Sequence, residues 1–282
     1  MDIVCVGGGP AGLYFAISMK RRDPAHRVRV VERNRPDDTF GWGVVLSDQT
    51  LDNLQANDSE SADLIRAAFA YWDDIEVHFK GAAVRSGGHG FCGIGRKRLL
   101  EILQGRARDL GVELAFETEV DALDAYGEAD LIVASDGINS KIRGRYADSF
   151  APDIDVRPNK FIWLGTPKQF DAFTFAFEQT DAGWIWAHAY RFAPDCATFI
   201  VECSPATWAG PGFATVDPAA VTPRCEQLFP RYHHGQPLPA KPPRPTGGWR
   251  RGRLRTGRRN FTRTWRGAAP CGIFPIARSR GP

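Results

Sequence analysis

The chain has 282 residues, of which 43% are hydrophobic and 24% charged, as is usual for a globular protein with a sizeable core. No apolar run approaches the roughly 20 residues of a membrane-spanning helix, and six cysteines without a CxxC pair argue against a disulfide framework or a zinc site. The first residues show no signal-peptide pattern, so we expect a cytoplasmic protein with reduced thiols and no membrane partner.

The net charge of +3 conceals an uneven distribution along the chain. Residues 1–240 contain all 33 acidic side chains, whereas residues 241–282 contain 12 of the 36 basic side chains and no acid. The two parts are chemically different, so the net charge of the whole chain does not predict its partners.

The first predicted element is a dinucleotide-binding βαβ unit. A β-branched run leads into Gly7, Gly9 and Gly12, a helix follows, and a second strand ends at Glu32, twenty residues after Gly12. In this spacing the glycines permit a tight turn, backbone approach to a pyrophosphate and close helix–strand packing. The helix N-terminus favours phosphate, and an acid after the second strand binds ribose hydroxyls, which favours FAD or NAD over NADP. The alternative is a purely structural glycine turn.

The next elements depart from a nicotinamide dehydrogenase, which would continue with further βαβ units. A helical stretch at 51–71 precedes an alternating strand, and we predict a small sheet insertion near residues 74–90. A glycine loop then opens an amphipathic helix at Arg96, and a buried-type strand ends at Asp136–Gly137.

From residue 161 to 204 the pattern changes to period two, which predicts an antiparallel sheet. Trp184, Trp186, His188 and Tyr190 share one face of one predicted strand, either as a pocket lining or as part of the core. No Ser-His-Asp or metal-ligand pattern stands out, so we predict no metal and assign no catalytic side chain.

Several motifs resemble one enzyme family. An N-terminal glycine fingerprint, R-x-x-L at Arg96 and D-G-x-x-S-x-x-R from Asp136 to Arg143 resemble the single-component FAD-dependent aromatic hydroxylases, typified by p-hydroxybenzoate hydroxylase. The segments FGWGVVLSD, RSGGHGFCGIGRKRLL and DAFTFAFEQT look most similar to the aryl-CoA branch, namely salicylyl-CoA 5-hydroxylases and the monooxygenase half of 2-aminobenzoyl-CoA monooxygenase/reductase. The resemblance extends to about residue 238.

The resemblance implies an α/β fold in which a Rossmann-like FAD-binding domain at 1–160 precedes an antiparallel-sheet substrate domain at 161–238. It implies an FAD-dependent monooxygenase that hydroxylates an electron-rich aryl-CoA thioester with NAD(P)H and O₂, in aromatic compound catabolism. The bound flavin would carry the chemistry and NAD(P)H would be a co-substrate. The alternatives are another flavoprotein of this fold, such as a halogenase or reductase, or a nucleic-acid-binding protein.

The resemblance also implies site residues. Glu32 would bind the adenosine ribose and Arg33 would lie beside the adenine, while Arg96 would lie near the phosphates or simply be a first-turn helix arginine. Asp136 would serve FAD or only cap the next turn. The implied FAD-binding set is Gly7, Gly9, Pro10, Ala11, Gly12, Glu32, Arg33, Gly43, Val44, Val45, Arg96, Asp136 and Gly137.

Three residues are candidates for substrate contact. His89 lies in a glycine-rich loop, and Trp186 and His188 lie on the aromatic strand face. Each also has an ordinary structural interpretation, as a hydrogen-bonded histidine or a core aromatic residue.

The basic tail at residues 239–282 does not continue the family pattern. The family has a third FAD element with a Gly-Asp pair after a further strand, and this sequence contains no Gly-Asp dipeptide. We therefore expect a frame-shifted or disordered tail, an incomplete C-terminal part, and a truncated form whose own activity is in question. The alternative is a disordered basic arm that binds RNA or DNA through phosphate contacts, which we consider the weaker interpretation.

Overall fold

The computed structural model describes residues 1–213, 217, 220–240 and 257–261, and it contains three β-sheets. The strands are β1 (Asp2–Val6), β2 (Arg27–Val31), β3 (Gly43–Ser47), β4 (Ala70–Trp72), β5 (Ile75–Phe79), β6 (Ala82–Ser86), β7 (Phe91–Gly95), β8 (Glu113–Ala115), β9 (Leu131–Ala134), β10 (Asp155–Thr166), β11 (Phe173–Thr180), β12 (Gly183–Ala193), β13 (Cys196–Cys203) and β14 (Gly257–Phe261). The helices are α1 (Pro10–Arg22), α2 (Asp48–Asn57), α3 (Ser59–Ala67), α4 (Arg96–Asp109), α5 (Lys141–Arg145), α6 (Ala147–Phe150), α7 (Pro205–Ala209), α8 (Val221–Leu228) and α9 (Pro230–His233), with one 3-10 turn at Asp124–Tyr126.

A four-stranded parallel sheet forms the N-terminal unit, in the order β8-β2-β1-β9. The apolar run of β1 is buried, and the amphipathic face of α1 buries Leu13, Ala16 and Ile17 against it. Helix α4 covers the same core with its own leucine and isoleucine side chains. Because parallel strands end at the same edge, the carboxyl ends of β1, β2 and β9 lie side by side.

The large sheet has seven strands in the order β14-β10-β13-β12-β11-β5-β6. The strands β10 to β13 pair antiparallel, as the period-two pattern predicts. The segment predicted as a small insertion near 74–90 does form the hairpin β5–β6, but β5 pairs parallel to β11 and so extends this sheet. Alternation in the sequence identifies a strand but not the strand that it pairs with, because pairing depends on tertiary contacts.

A three-stranded sheet, in the order β3-β7-β4, lies between the two larger units. The Tyr190 hydroxyl of β12 donates to the Gly43 carbonyl at 2.9 Å, and the Gly43 N–H donates to the Thr198 hydroxyl at 3.3 Å. A Cβ on Gly43 would lie 2.4 Å from the Phe192 ring, so only glycine permits this contact. We call these contacts of Gly43 with Tyr190, Thr198 and Phe192 the seam. The seam holds the two units together through the Gly43 backbone.

Most of the basic tail lies outside the described residues, and so do the predicted frame shift and the site of the third FAD element. Residues 257–261, which show no strand period in sequence, form β14 and pair antiparallel with β10 through Asp155 and Phe161. Backbone pairing at a sheet edge does not require side-chain alternation, and this explains why the pattern gave no signal.

Among the described residues, no helix is long and apolar enough to cross a membrane. The five cysteines described are free, and burial raises the pKa of the Cys5 and Cys225 thiols to about 12. Buried thiols of this kind remain protonated at neutral pH.

A buried ion pair joins α3 to α4. The carboxylate of Asp58, which is 0% exposed, accepts from Arg106 Nε at 3.0 Å and Nη2 at 2.9 Å, and it caps α3 through Ser61. Burial alone raises the pKa of Asp58, but the hydrogen bonds from Arg106 and Ser61 outweigh burial and hold this pKa below its ordinary value. The pair therefore stabilises the folded state at neutral pH, and this contribution is lost as the pH falls through the lowered pKa.

Replacing Asp58 with Asn should lower the free energy of unfolding by about 3 kcal/mol, because the Arg106 guanidinium would lose its buried counter-charge and keep only the exposed carboxylate of Glu60, at 2.6 Å. Urea unfolding measures the change. The control is Asp63→Asn on the same helix, an exposed carboxylate 3.7 Å from Arg66, which should change stability by less than about 0.5 kcal/mol. Equal effects of the two substitutions would contradict the assignment. So would a difference in free energy of unfolding between the wild type and Asp58→Asn that does not decrease at low pH.

Candidate functional site

Two of the three fingerprint glycines are required by packing, and the third leaves open space. A Cβ on Gly7, whose φ is +110°, would lie 2.3 Å from the Ser135 carbonyl oxygen. A Cβ on Gly12 would lie 2.0 Å from the Gly7 carbonyl oxygen and 2.5 Å from Ser135 Oγ. Gly9, by contrast, has no atom within 4 Å of its Cβ position. A ligand can therefore approach the backbone at Gly9.

The N-terminus of α1 is open to a ligand. Gly9 is its N-cap residue, no side chain caps the helix, and Pro10 occupies the first helical position. Ala11 is exposed, and the backbone N–H groups of the first turn have no intrahelical acceptors. Together with the positive end of the helix dipole, this turn suits an anion such as a phosphate.

Glu32 follows β2 and is tied to the glycine loop. Its Oε2 accepts from the Gly8 N–H at 2.7 Å, and its Oε1 accepts from the Asn34 N–H at 2.8 Å and from Asn34 Nδ2 at 2.5 Å. A carboxylate has about four acceptor positions, so capacity remains for ligand hydroxyls. Asn34, which no sequence pattern indicates, therefore orients this carboxylate.

Residues from separate parts of the chain line one cleft at the carboxyl ends of β1, β2 and β9. Gly7, Glu32, Arg33 and Asp136, all predicted from the sequence, meet there with Lys141, which was not. Lys141 Nζ is 2.6 Å from both Glu119 and Asp121, and these two carboxylates raise its pKa.

Asp136 caps the turn that follows it, in line with the structural interpretation of the Asp-Gly pair. Its carboxylate accepts from Ser140 Oγ at 2.6 Å and from the Lys141 N–H at 2.8 Å, at the start of α5. Gly137 follows with φ +89° and no atom within 4 Å of its Cβ position. The Asp-Gly pair thus forms the turn at one edge of the cleft.

Arg96 is the first residue of α4, and its N–H donates to the Trp42 carbonyl at 2.9 Å. Its side chain is half-buried, and burial lowers the pKa of the guanidinium. Within the described residues it has no carboxylate or other hydrogen-bond partner for that guanidinium. A desolvated cation without a counter-charge is unfavourable unless an anion binds to it.

The predicted flavin-lining strand lies beside Arg96. In β3, Gly43 pairs with Gly95, the residue that precedes Arg96, and Val44 and Val45 are half-buried. The structure therefore brings the three backbone positions next to the start of α4. Among the described residues, no group of three or more His, Cys, Asp or Glu side chains lies close enough together to bind a metal ion.

The aromatic face predicted on β12 continues onto β11. Tyr190 lies 5.3 Å from Phe173 between ring centroids, His188 lies 6.0 Å from Phe175, and Trp186 lies 6.2 Å from Phe177. His188 and Tyr190 are buried, whereas Trp184 and Trp186 are half-buried. The face therefore combines both interpretations, with core packing at one end and accessible aromatic surface at the other.

His89 is exposed on the loop before β7. Its Nε2 lies 2.9 Å from Ser86 Oγ, and its ring stacks at 6.1 Å on Phe91. The carboxylate of Asp73 accepts from the Gly88 and Gly90 N–H groups and so fixes this loop. Backbone hydrogen bonds from these glycines hold the pKa of Asp73 below its ordinary value. His89 thus lies near the aromatic face without direct contact with the cleft residues.

The comparisons with known proteins agree with this geometry. The family model described as "Lycopene cyclase protein" matches residues 2–158. The chain is 45% identical over 219 residues to salicyloyl-CoA 5-hydroxylase from a Streptomyces species, covering 78% of this chain and 42% of that protein. It is 32% identical over 203 residues to 3-hydroxy-4-methyl-anthranilyl-(aryl-carrier protein) 5-monooxygenase of Streptosporangium sibiricum, covering 72% of this chain and 57% of that protein.

Among solved structures, 2-methyl-3-hydroxypyridine-5-carboxylic acid oxygenase matches with a TM-score of 0.64 and 22% identity, covering 84% of this chain and 69% of that one. At this identity the likeness concerns the fold alone. The chain spans about half the length of the curated relatives that it matches.

The fold and the cleft define a protein with a Rossmann-like nucleotide-binding unit joined to an antiparallel sheet. The chain belongs to the family that the matched model describes, and the curated relatives that it matches are hydroxylases and monooxygenases of aromatic substrates. The family resemblance and the fold class predicted from the sequence are therefore confirmed.

Replacing Gly12 with Ala should lower the free energy of unfolding by about 1–3 kcal/mol or more, because the new methyl group meets a fixed carbonyl oxygen at 2.0 Å. The matched control is Gly105→Ala within α4, where the Cβ position has no atom within 4 Å. That substitution should stabilise the protein by about 0.5–1 kcal/mol through helix propensity. Thermal unfolding of both variants checks the prediction, which fails if Gly12→Ala is as stable as the wild type.

Proposed function

We propose that the protein carrying this chain is an FAD-dependent monooxygenase that hydroxylates the ring of an electron-rich aryl-CoA thioester. In the overall reaction NAD(P)H supplies two electrons, one atom of O₂ enters a ring C–H bond as a hydroxyl group, and the other atom leaves as water. The observation that carries this proposal is the 45% identity to salicyloyl-CoA 5-hydroxylase over 219 residues, which extend across both the parallel and the antiparallel sheets.

The residues present fit FAD at the cleft. The open backbone at Gly9 and the uncapped first turn of α1, including Pro10 and Ala11, would meet the pyrophosphate. Glu32 would accept from the adenosine ribose, and Arg33 would lie at the adenine end. Arg96 would neutralise phosphate charge, because its guanidinium has no other partner in the described part of the chain.

The isoalloxazine ring would extend toward the seam between the sheets. There Gly43, Val44 and Val45 offer an edge of backbone and small apolar side chains, held in place by the Tyr190 hydroxyl. Asp136, which follows β9, would border the same cleft, with Gly137 next to it in the turn. When bound, FAD supplies the redox chemistry of oxygen transfer, and the chain's own residues supply binding, orientation and exclusion of water.

The aromatic face of β11 and β12 would hold the substrate ring. Stacking against Phe173, Phe175 or Trp186 orients a flat ring, and His188 offers a polar group among these apolar side chains. His89, on its fixed loop, would border the entrance. We also propose that the protein is cytoplasmic and uses NAD(P)H as its electron donor.

Replacing Arg96 with Gln should weaken FAD binding by about 1.5–3 kcal/mol, the usual loss for a hydrogen bond to a charged group. Fluorescence titration of the FAD-depleted protein measures this change. Without FAD, the variant should be at least as stable as the wild type, because the substitution removes a desolvated charge that has no partner among the described residues. The control is Lys97→Gln, an exposed neighbour 3.9 Å from Glu101, which should leave FAD affinity unchanged. Equal FAD affinity of the two variants would remove Arg96 from the site.

The FAD-loaded holoenzyme should oxidise NAD(P)H faster in the presence of salicylyl-CoA or 2-aminobenzoyl-CoA and release a ring-hydroxylated thioester. The free acids should have little effect, because they lack the CoA moiety, whose binding energy helps to position the ring. Stopped-flow absorbance of the flavin and mass spectrometry of the product measure both outcomes. Turnover of the free acids at the same rate would contradict the thioester assignment, and flavin binding without any ring oxygenation would favour another flavoprotein activity.

A further inference from the structure

The accessible end of the aromatic face carries two stacked rings at its rim. Phe79, the last residue of β5, stacks on Trp184 of β12 at 5.0 Å between centroids and an interplanar angle of 27°. Phe79 also meets Phe177 edge-on at 6.1 Å, and it remains 46% exposed. We call Phe79, Trp184 and Phe177 the rim platform. An exposed stacked pair of this kind offers a flat surface to a planar ligand.

A cation lies directly over the rim platform. Lys80 Nζ is 5.4 Å from the centroid of the Phe79 ring. Lys80 and Gly81 form the β5–β6 turn with φ of 50° and 80°, so the ammonium group lies at the tip of a tight hairpin. The described residues give Lys80 no carboxylate partner. The ammonium group is therefore available to an anion.

The rim platform is continuous with the buried end of the aromatic face. The rings of β11 and β12 follow one another in register, because Phe177 pairs with Trp186 and Phe175 pairs with His188. Tyr190, whose hydroxyl donates to the Gly43 carbonyl, lies six residues along β12 from Trp184. At the usual rise of a strand this separation is about 20 Å. An extended ligand can therefore have one end at the seam and the other at the rim.

We propose that the rim platform binds the adenine nucleotide end of a CoA thioester. The Lys80 ammonium group moves off the Phe79 ring to bind a phosphate, the adenine base takes its place on the exposed surface of that ring, and the pantetheine arm follows the aromatic face toward the seam. This inference rests on the proposed function and specifies it further. A flat base and a phosphate are the two groups that an aromatic pair beside a free ammonium group can recognise.

The rim platform would distinguish two carriers of the same acyl group, CoA and an acyl-carrier protein. A relative at 32% identity is named for a substrate held on an aryl-carrier protein. A carrier protein presents the acyl group on phosphopantetheine, which has no adenine base. A site that gains affinity from a base at Phe79 and Trp184 selects CoA over the carrier protein.

Binding of CoA and of 4′-phosphopantetheine to the FAD-loaded holoenzyme, measured by calorimetry, tests the proposal. CoA should bind more tightly than phosphopantetheine. Phe79→Ala should weaken CoA binding by about tenfold, the usual effect of losing one base-stacking ring, and should leave the affinity for phosphopantetheine unchanged. Lys80→Gln should weaken CoA and reduce the salt dependence of its binding. The matched controls are Tyr71→Ala, an aromatic side chain 53% exposed on β4, and Lys97→Gln on α4, and neither should alter CoA binding.

Turnover gives a second readout. Phe79→Ala should raise KM for the aryl-CoA several-fold and leave kcat unchanged, because the platform lies far from the ring that reacts. If Phe79→Ala unfolds, Phe79→Leu keeps an apolar side chain without the stacking surface and should show the same loss of CoA affinity. Equal binding of CoA and phosphopantetheine by the wild type would overturn the proposal, as would equal CoA affinity of Phe79→Ala and Tyr71→Ala. CoA binding at the platform without any hydroxylation would instead contradict the proposed function alone.

Discussion

The close approach of α1 to β1 is the constraint on which the nucleotide-binding unit depends. Gly12 faces the Gly7 carbonyl with no space for a side chain, and Ser135, the residue after β9, completes the contact by donating to the Val6 and Gly7 carbonyls. Three chain segments are thereby fixed to one another at a single point. This contact directs the open N-terminus of α1 at the edge where β1, β2 and β9 end, and the cleft follows from that arrangement.

A second glycine contact relates the cleft to the antiparallel sheet. Gly43 lies against Phe192 and exchanges hydrogen bonds with Tyr190 and Thr198, so the small sheet is held on the large one by its backbone. Its partner strand β7 leads directly into Arg96. The same seam therefore positions a cation on the nucleotide side and the buried end of the aromatic face on the other, and the proposed ring hydroxylation depends on that arrangement.

The sequence predicted the parts of the site that depend on local spacing. The glycine fingerprint, Glu32 and Asp136 follow strands whose ends must coincide in a parallel sheet, so their meeting could be anticipated. It did not predict Lys141 or Asn34, because a lysine in a turn and an asparagine after an acid are common and carry no distinctive pattern. It also left the role of Asp136 open, since a ligand-binding carboxylate and a capping carboxylate have the same Asp-Gly signature.

The sequence by itself determined the class of fold, the order of the two sheets and the family, because hydrophobic period and short motifs are local properties of the chain. Only the tertiary structure decided which strands pair, and it placed β5 beside β11, where Phe79 stacks on Trp184. It also left Arg96 half-buried without a counter-charge among the described residues. Pairing and desolvation depend on neighbours distant in sequence, and no local pattern encodes them.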